Sequence, residues 1–153
     1  MRRNLSGKEG GMSAVKTFTV FVVDDDDSVR MSLKRLLKAC GYRVRTFESA
    51  EDFLASDRVQ TEGCLVLDIR LNGMSGLDLH DKLASSEANY PVIFITAYED
   101  PQWRERAAEM GAVAYLRKPF DEQPLLDALN AACRRLEEVR TGRVEEKEFR
   151  KWV

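Results

Sequence analysis

Two hydrophobic periods alternate along the middle of the chain. FTVFVV (18–23) is an unbroken run of β-branched and aromatic residues, the pattern of a strand buried on both faces. Val29, Leu33, Leu36, Leu37 and Cys40 then recur at helical spacing, and Gly41 supplies a C-terminal stop. YRVRTF (42–47) reads as a strand. Ser49, with Asp52 three places on, predicts the N-cap of a short helix over 50–57. CLVLD (64–68) is a third buried strand. A loop with Gly73 and Gly76 leads into a helix through Leu77, Leu79, Leu83 and Ala84. PVIFIT (91–96) is a fourth strand, residues 101–110 a helix stopped at Gly111, and AVAYLR (112–117) a fifth strand. Leu125, Leu126, Leu129, Ala132, Cys133 and Leu136 form the stripe of a last helix.

Strands that alternate with helices in this way build βαβ units and a parallel sheet. Right-handed crossovers place helices on both faces. The predicted fold is therefore α/β: three layers, doubly wound around a five-stranded parallel sheet. There is no internal repeat.

Composition narrows this further. In 153 residues, 44% are apolar, enough for a core without disulfide or metal staples. The 24 basic and 26 acidic residues nearly balance, but unevenly along the chain. Residues 1–17 hold four basic groups and one acid, and residues 134–153 seven basic and five acidic. Of the net −2, residues 18–133 therefore carry −7. That charge argues against nucleic-acid binding by the folded part. The tail 1–15 is glycine-rich, nearly without apolar residues, and expected to be disordered. Met12 is an alternative start. Residues 137–153 are expected to form a charged helical extension, weakened at Gly142, with Phe149 and Trp152 one helical turn apart. They are too few for a helix-turn-helix module.

Cys40, Cys64 and Cys133 are widely spaced in apolar surroundings and are expected to be buried free thiols, which suits a reducing cytoplasm. No apolar run approaches the length of a membrane span. His80, the single histidine, excludes a His-built metal site and an HExxH protease, and its polar neighbours predict a solvent-facing ring. No glycine-rich nucleotide loop is present.

In an open parallel sheet, ligands bind at the carboxyl ends of the strands. There the chain places Asp24 and Asp25, then Asp68, then Thr96, then Lys118. Clustered carboxylates repel one another, and a hard divalent cation such as Mg2+ resolves the repulsion. Lys118 adds a compact positive charge, and Thr96 a hydroxyl donor. This is equipment for phosphoryl transfer, with Asp68 the candidate nucleophile. Asp26 and Asp27 read as first-turn acids at a helix N-terminus.

FVVDDDDSVR, LVLDIRLNGMSG, VIFITA and AYLRKPF, in that order, resemble the receiver (CheY-like) domain of two-component response regulators. The resemblance covers about residues 16–136 and is nearest in look to the nitrogen-fixation and nitrate-response type. It implies a flavodoxin-like fold and a signalling switch rather than a conventional enzyme. It further implies 4-aspartylphosphate at Asp68, with Mg2+ held by Asp24, Asp25, Asp68 and the Arg70 backbone carbonyl. Thr96 and Tyr115 match the switch pair, Lys118 the phosphate-sensing lysine, and Lys118-Pro119 a bond that is usually cis. The implied partner is a histidine kinase or phosphotransfer protein. The output is expected at the face of the fourth helix, fifth strand and fifth helix, toward a homodimer or a downstream protein. Trp103, Met110, Phe149 and Trp152 are its candidate apolar anchors. Asn72 departs from the pattern, which usually has proline there.

Three other readings stand beside this one. A phosphorylation-independent pseudo-receiver would not need the complete set of site residues. A metal-dependent phosphatase of another α/β family would need an acid two places after the nucleophile, where Arg70 stands. The chain also suits the receiver part of a transcription regulator without its DNA-binding domain.

Overall fold

The computed structural model describes residues 18–57, 62–85 and 90–142. Within them five strands alternate with five helices. The strands are β1 (Thr19–Val23), β2 (Arg43–Phe47), β3 (Gly63–Asp68), β4 (Val92–Thr96) and β5 (Ala114–Arg117). The helices are α1 (Asp27–Ala39), α2 (Ala50–Ala55), α3 (Gly76–Ala84), α4 (Pro101–Glu109) and α5 (Glu122–Arg140). The sheet is parallel throughout, in the order β2-β1-β3-β4-β5. This is the flavodoxin-like, doubly wound architecture expected.

The strands alternate their side chains between two cores, as a pleat requires. Val20, Val22, Cys64, Val66, Ile93 and Ile95 meet Leu33 and Leu37 of α1 and Leu125 and Leu129 of α5. Phe21, Val23, Leu65, Leu67 and Phe94 meet Phe53 of α2, Leu77, Leu79 and Leu83 of α3, and Ala107 of α4. β1, β3 and β4 are buried at every position, which is why they read as continuous apolar runs. β2 lies at an edge and exposes Arg43 and Arg45, and Arg45 lays its guanidinium over the Phe47 ring at 5.4 Å.

Local chemistry sets the helix starts. Asp26 caps α1 by accepting from Ser28 N and Val29 N, and Ser49 caps α2 by accepting from Asp52 N at 3.0 Å. Ser75 caps α3, and Asp100 with Pro101 at N1 opens α4. α2 stops at Ala55, short of the predicted 57, because Ser56 turns back onto the Phe53 carbonyl through both N–H and Oγ. α5 runs unbroken past residue 136 to Arg140, with Thr141 as its C-cap before Gly142 at φ 79. The expected disordered tail at 1–15 and the Phe149–Trp152 pair lie outside the described residues.

Two expectations need correction. Cys40 is exposed rather than buried, because α1 ends at Ala39 and Cys40 leaves the apolar stripe as its C-cap. Cys64 is buried, Cys133 is half-buried, and all three are free. His80 does not face solvent freely: its Nδ1 is buried and its ring lies 5.8 Å from that of Phe94. It stands three residues from both Leu77 and Leu83, so helical geometry places it on the inner stripe. Among the described residues no helix is long and apolar enough to cross a membrane.

Phe53 meets Phe21 and Phe47 edge-on, with centroids 5.4 and 5.3 Å away, beneath the short α2. Phe53→Ala should cost about 3–5 kcal/mol of folding stability, read as a lowered urea midpoint with an unchanged slope. A loss under about 1 kcal/mol would show that this core collapses around the void.

Candidate functional site

Strand register brings the site together. β3 leaves the sheet at Asp68, paired with Ile95, and β4 leaves at Thr96, paired with Arg117. The Asp24 N–H donates to Phe47 O at 3.1 Å, and the Lys118 N–H to Thr96 O at 2.7 Å, so both residues continue the ladder past its edge. The carboxyl ends of four strands therefore deliver their polar side chains to one spot.

Asp24, Asp68 and Thr96 are buried, whereas Asp25 is exposed. Lys118 spans the two buried carboxylates: its Nζ lies 2.7 Å from Asp24 Oδ2 and 3.1 Å from Asp68 Oδ2. Backbone donors take one further oxygen of each carboxylate. Asp26 N–H donates to Asp24 Oδ1 at 2.9 Å, Arg70 N–H to Asp68 Oδ1 at 3.1 Å, and Asn72 N–H to Asp25 Oδ2 at 3.3 Å. Arg30 secures the turn from beneath, donating from Nη1 to the Asp24 carbonyl at 2.6 Å and pairing with Asp27 through Nη2.

One carboxylate oxygen from each of Asp24, Asp25 and Asp68 falls within 4.8 Å of the others. Three carboxylates against one ammonium leave two negative charges in a half-buried space. All the donors are hard oxygens, so the set fits a divalent cation of the alkaline-earth kind.

Electrostatics follow from this crowding. Burial, then the Asp24 charge, push the Asp68 carboxyl up to about 6, against the opposing pull of Lys118 and the Arg70 N–H. Burial alone would lower Lys118, but its bond to Asp24 and the charges of Asp68 and Asp24 leave it raised.

Other predicted residues lie around this centre. Thr96 Oγ1 accepts from Tyr98 N–H at 3.1 Å, tying the strand end to the loop that enters α4. The Arg70 guanidinium stacks over the exposed Tyr98 ring at 4.3 Å. Tyr115 is half-buried, with its hydroxyl buried and no hydrogen-bond partner among the described residues. Arg104 covers the Tyr115 ring at 4.4 Å and is itself held by Glu99 at 3.3 and 3.4 Å. Any rearrangement of Tyr115 thus begins from a covered ring. The Lys118–Pro119 bond is cis. Trp103 and Met110 do not stand free as surface anchors: both are half-buried against the core formed with α2, α3 and α4.

Sequence reasoning missed Arg30, Glu51 and Arg104. Arg30 was legible, because it lies three residues after Asp27 on one helix face. Glu51, which accepts from Met74 N–H at 3.0 Å, and Arg104 carried no local signal.

A model of the response regulator receiver domain matches residues 20–130. The chain belongs to this family. The receiver is 50% identical over 124 residues to the transcriptional regulatory protein TdiR of Thauera aromatica, a match over 79% of this chain and 55% of that protein. It is 45% identical over 129 residues to nodulation protein W of Bradyrhizobium diazoefficiens, over 84% of this chain and 57% of that one. Among solved structures, response regulator StyR matches with a TM-score of 0.77 and 46% identity, over 83% of this chain and 64% of that one. The FixJ-N crystal structure matches at 0.70 and 36%, over 76% and 94%. The chain spans about half the length of the curated relatives it matches. As a receiver it is a signalling switch of a two-component system, built on the Asp24, Asp25 and Asp68 pocket.

Two predictions follow from the site's packing. An acid with a raised folded pKa keeps its proton longer in the folded state. From the ordinary 3.8 to about 6, the folded receiver therefore binds more protons, and Asp68 lowers stability as pH rises. Asp68→Asn should flatten the stability profile between about pH 4 and 6 and raise the urea midpoint at pH 7. A slope that survives in Asp68→Asn would assign it elsewhere. Gly76, read from sequence as a turn glycine, instead opens α3 against the Asp68 backbone, where an added Cβ would meet Asp68 O at 2.3 Å. Gly76→Ala should lower the melting temperature and shift the Asp68 amide resonance, and an unmoved resonance would show that α3 gives way instead.

Proposed function

We propose that Asp68 is the phosphoacceptor of this receiver, taking a phosphoryl group from a histidine kinase or phosphotransfer protein. The observation that carries the reading is the Lys118 ammonium shared between Asp24 and Asp68 at the sheet edge. An Asp68 carboxylate oxygen attacks phosphorus. A P–O bond forms as the donor's bond to phosphorus breaks, and the leaving group takes up a proton. Lys118 is within reach of both the nucleophile and an oxygen of the incoming group. Thr96 offers its hydroxyl to a second phosphoryl oxygen from one strand away. Asp24, Asp25, Asp68 and the Arg70 carbonyl are the residues that would hold Mg2+. When bound, Mg2+ supplies charge neutralisation for the carboxylates and the transferred group.

Thr96 and Tyr115 form the proposed two-state element. Drawing the Thr96 hydroxyl toward Asp68 disturbs the Tyr98 N–H bond, and with it the loop that carries Glu99 and the Arg104 cover on Tyr115. The affected surface is the face of α4, β5 and α5, toward a second copy or a downstream protein. A cytoplasmic setting suits the three free thiols. The net −7 argues against nucleic-acid binding only for the folded part. Because similar proteins of nearly twice the length are named transcriptional regulators, the expectation that nucleic acid takes no direct part is dropped for the protein as a whole.

Incubation with acetyl phosphate and Mg2+, followed by intact mass, should show one added phosphoryl group. It should be absent in Asp68→Asn and strongly reduced in Asp25→Ala, whereas Lys118→Ala should accept label with no change in Trp103 emission. Equal labelling of Asp68→Asn and wild type would refute the assignment.

A further inference from the structure

The segment between β3 and α3 is pinned at both ends by backbone bonds: Ile69 N–H to Ile95 O at 3.1 Å, and Gly76 N–H to Ile69 O at 2.9 Å. Between these ends, two of its amides donate to carboxylates from other parts of the chain. Asn72 N–H reaches Asp25 Oδ2 at 3.3 Å, across 47 residues of sequence. Met74 N–H reaches Glu51 Oε2 at 3.0 Å, across 23 residues. Gly73 lies between them at φ 81, and a Cβ there would meet Glu51 Oε2 at 2.8 Å, so the Glu51 carboxylate sits directly against the turn. The Met74 N–H also holds the Glu51 carboxyl below the ordinary range, as a donor to the charged form does.

We propose that Asn72 and Glu51 are positioning residues for the acidic pocket: the Asn72 backbone N–H orients the Asp25 carboxylate, and Glu51 holds the loop that carries that N–H. Asp25 is the exposed member of the triad, and unlike Asp24 and Asp68 it has no ion pair with Lys118. An exposed aspartate turns among several rotamers, and one fixed donor on Oδ2 narrows them to those that keep this bond. Asn72 does this through its backbone. A proline at 72 would have no N–H to donate, whereas any other residue would keep it. Glu51 acts at one remove: its contact with Met74 N–H ties the loop that presents the Asn72 amide to α2, beside the apolar packing of Leu71 and Met74 on the core.

The inference rests on the reading of the pocket as a divalent-cation site, and its test separates the two. Mn2+ alone is titrated into the full chain, with free Mn2+ read by electron paramagnetic resonance. Asn72→Ala keeps the N–H and should bind within about twofold of wild type. Asn72→Pro and Glu51→Ala should each weaken binding by about 3–10-fold, the effect of losing one ordinary hydrogen bond. Glu51→Gln keeps an acceptor oxygen and should stay near wild type, so the Glu51 pair decides the matter even where Asn72→Pro does not fold. Wild-type affinity in Glu51→Ala, with binding abolished in Asp25→Ala, overturns the positioning role and leaves the cation site standing. Equal weakening in Asn72→Ala and Asn72→Pro overturns the backbone assignment. Undiminished Mn2+ binding in Asp25→Ala takes down the cation site and this inference with it.

Discussion

One ammonium holds the functional end of the molecule together. Asp24 and Asp68 are both buried and both end strands of the same sheet, so without Lys118 their charges would face each other in a poorly solvated space. Their mutual repulsion is the cost of gathering acids at the sheet edge. Lys118 offsets it from two strands away, because β5 ends one residue earlier and its ladder bond to Thr96 fixes where Nζ can reach. Removing the ammonium, which would leave both buried carboxylates without their partner, typically costs about 3–5 kcal/mol. The pairing therefore adds a second constraint on the register of β1, β3, β4 and β5 to that of the apolar core.

The balance is deliberately incomplete. Lys118 neutralises one charge of three, and backbone N–H groups of Asp26, Arg70 and Asn72 spread part of the rest. A second lysine would have left a single uncompensated charge and weakened the attraction for a divalent cation. A bare triad would have driven the strand ends apart. The pocket sits between these limits, with Asp24 committed to Lys118, Asp25 open to solvent, and Asp68 poised between them with its carboxyl pushed up to about 6.

Much of this is legible in the sequence. Runs such as CLVLD and VIFIT declare strands buried on both faces, and their polar last residues mark the functional edge because parallel strands end in step. Ser49 declared its cap because capping is a contact between near neighbours. What stayed hidden was either a boundary effect or a long-range pairing. Cys40 obeyed the helical spacing but fell one residue beyond the last turn. His80 was misjudged from its sequence neighbours, when its helical neighbours are Leu77 and Leu83. Glu51 meets Met74, and Arg104 meets Tyr115, only because separate crossovers return to the same edge.

The distribution of interaction strength also indicates where a switch of the proposed kind can move. The Lys118 pairs join a half-buried lysine to buried carboxylates, Asp24 wholly so, whereas Arg104 and Glu99 are 51% and 39% exposed. An exposed pair of that sort contributes about 0–1 kcal/mol, several-fold less than a buried one costs to break. A perturbation that begins at Asp68 and pulls on Thr96 therefore meets a stiff pocket on one side and a weakly held cover on the other. Thr96 links the two, because its oxygen accepts from Tyr98 N–H while its own proton can be donated toward the pocket. The least costly response is for the 97–100 loop to shift, for Glu99 to release Arg104, and for Tyr115, whose buried hydroxyl has no partner among the described residues, to change its surroundings. On these magnitudes the pocket keeps its shape while the surface of α4 and β5 changes, which is the separation of sensing from output that a phosphorylation switch requires.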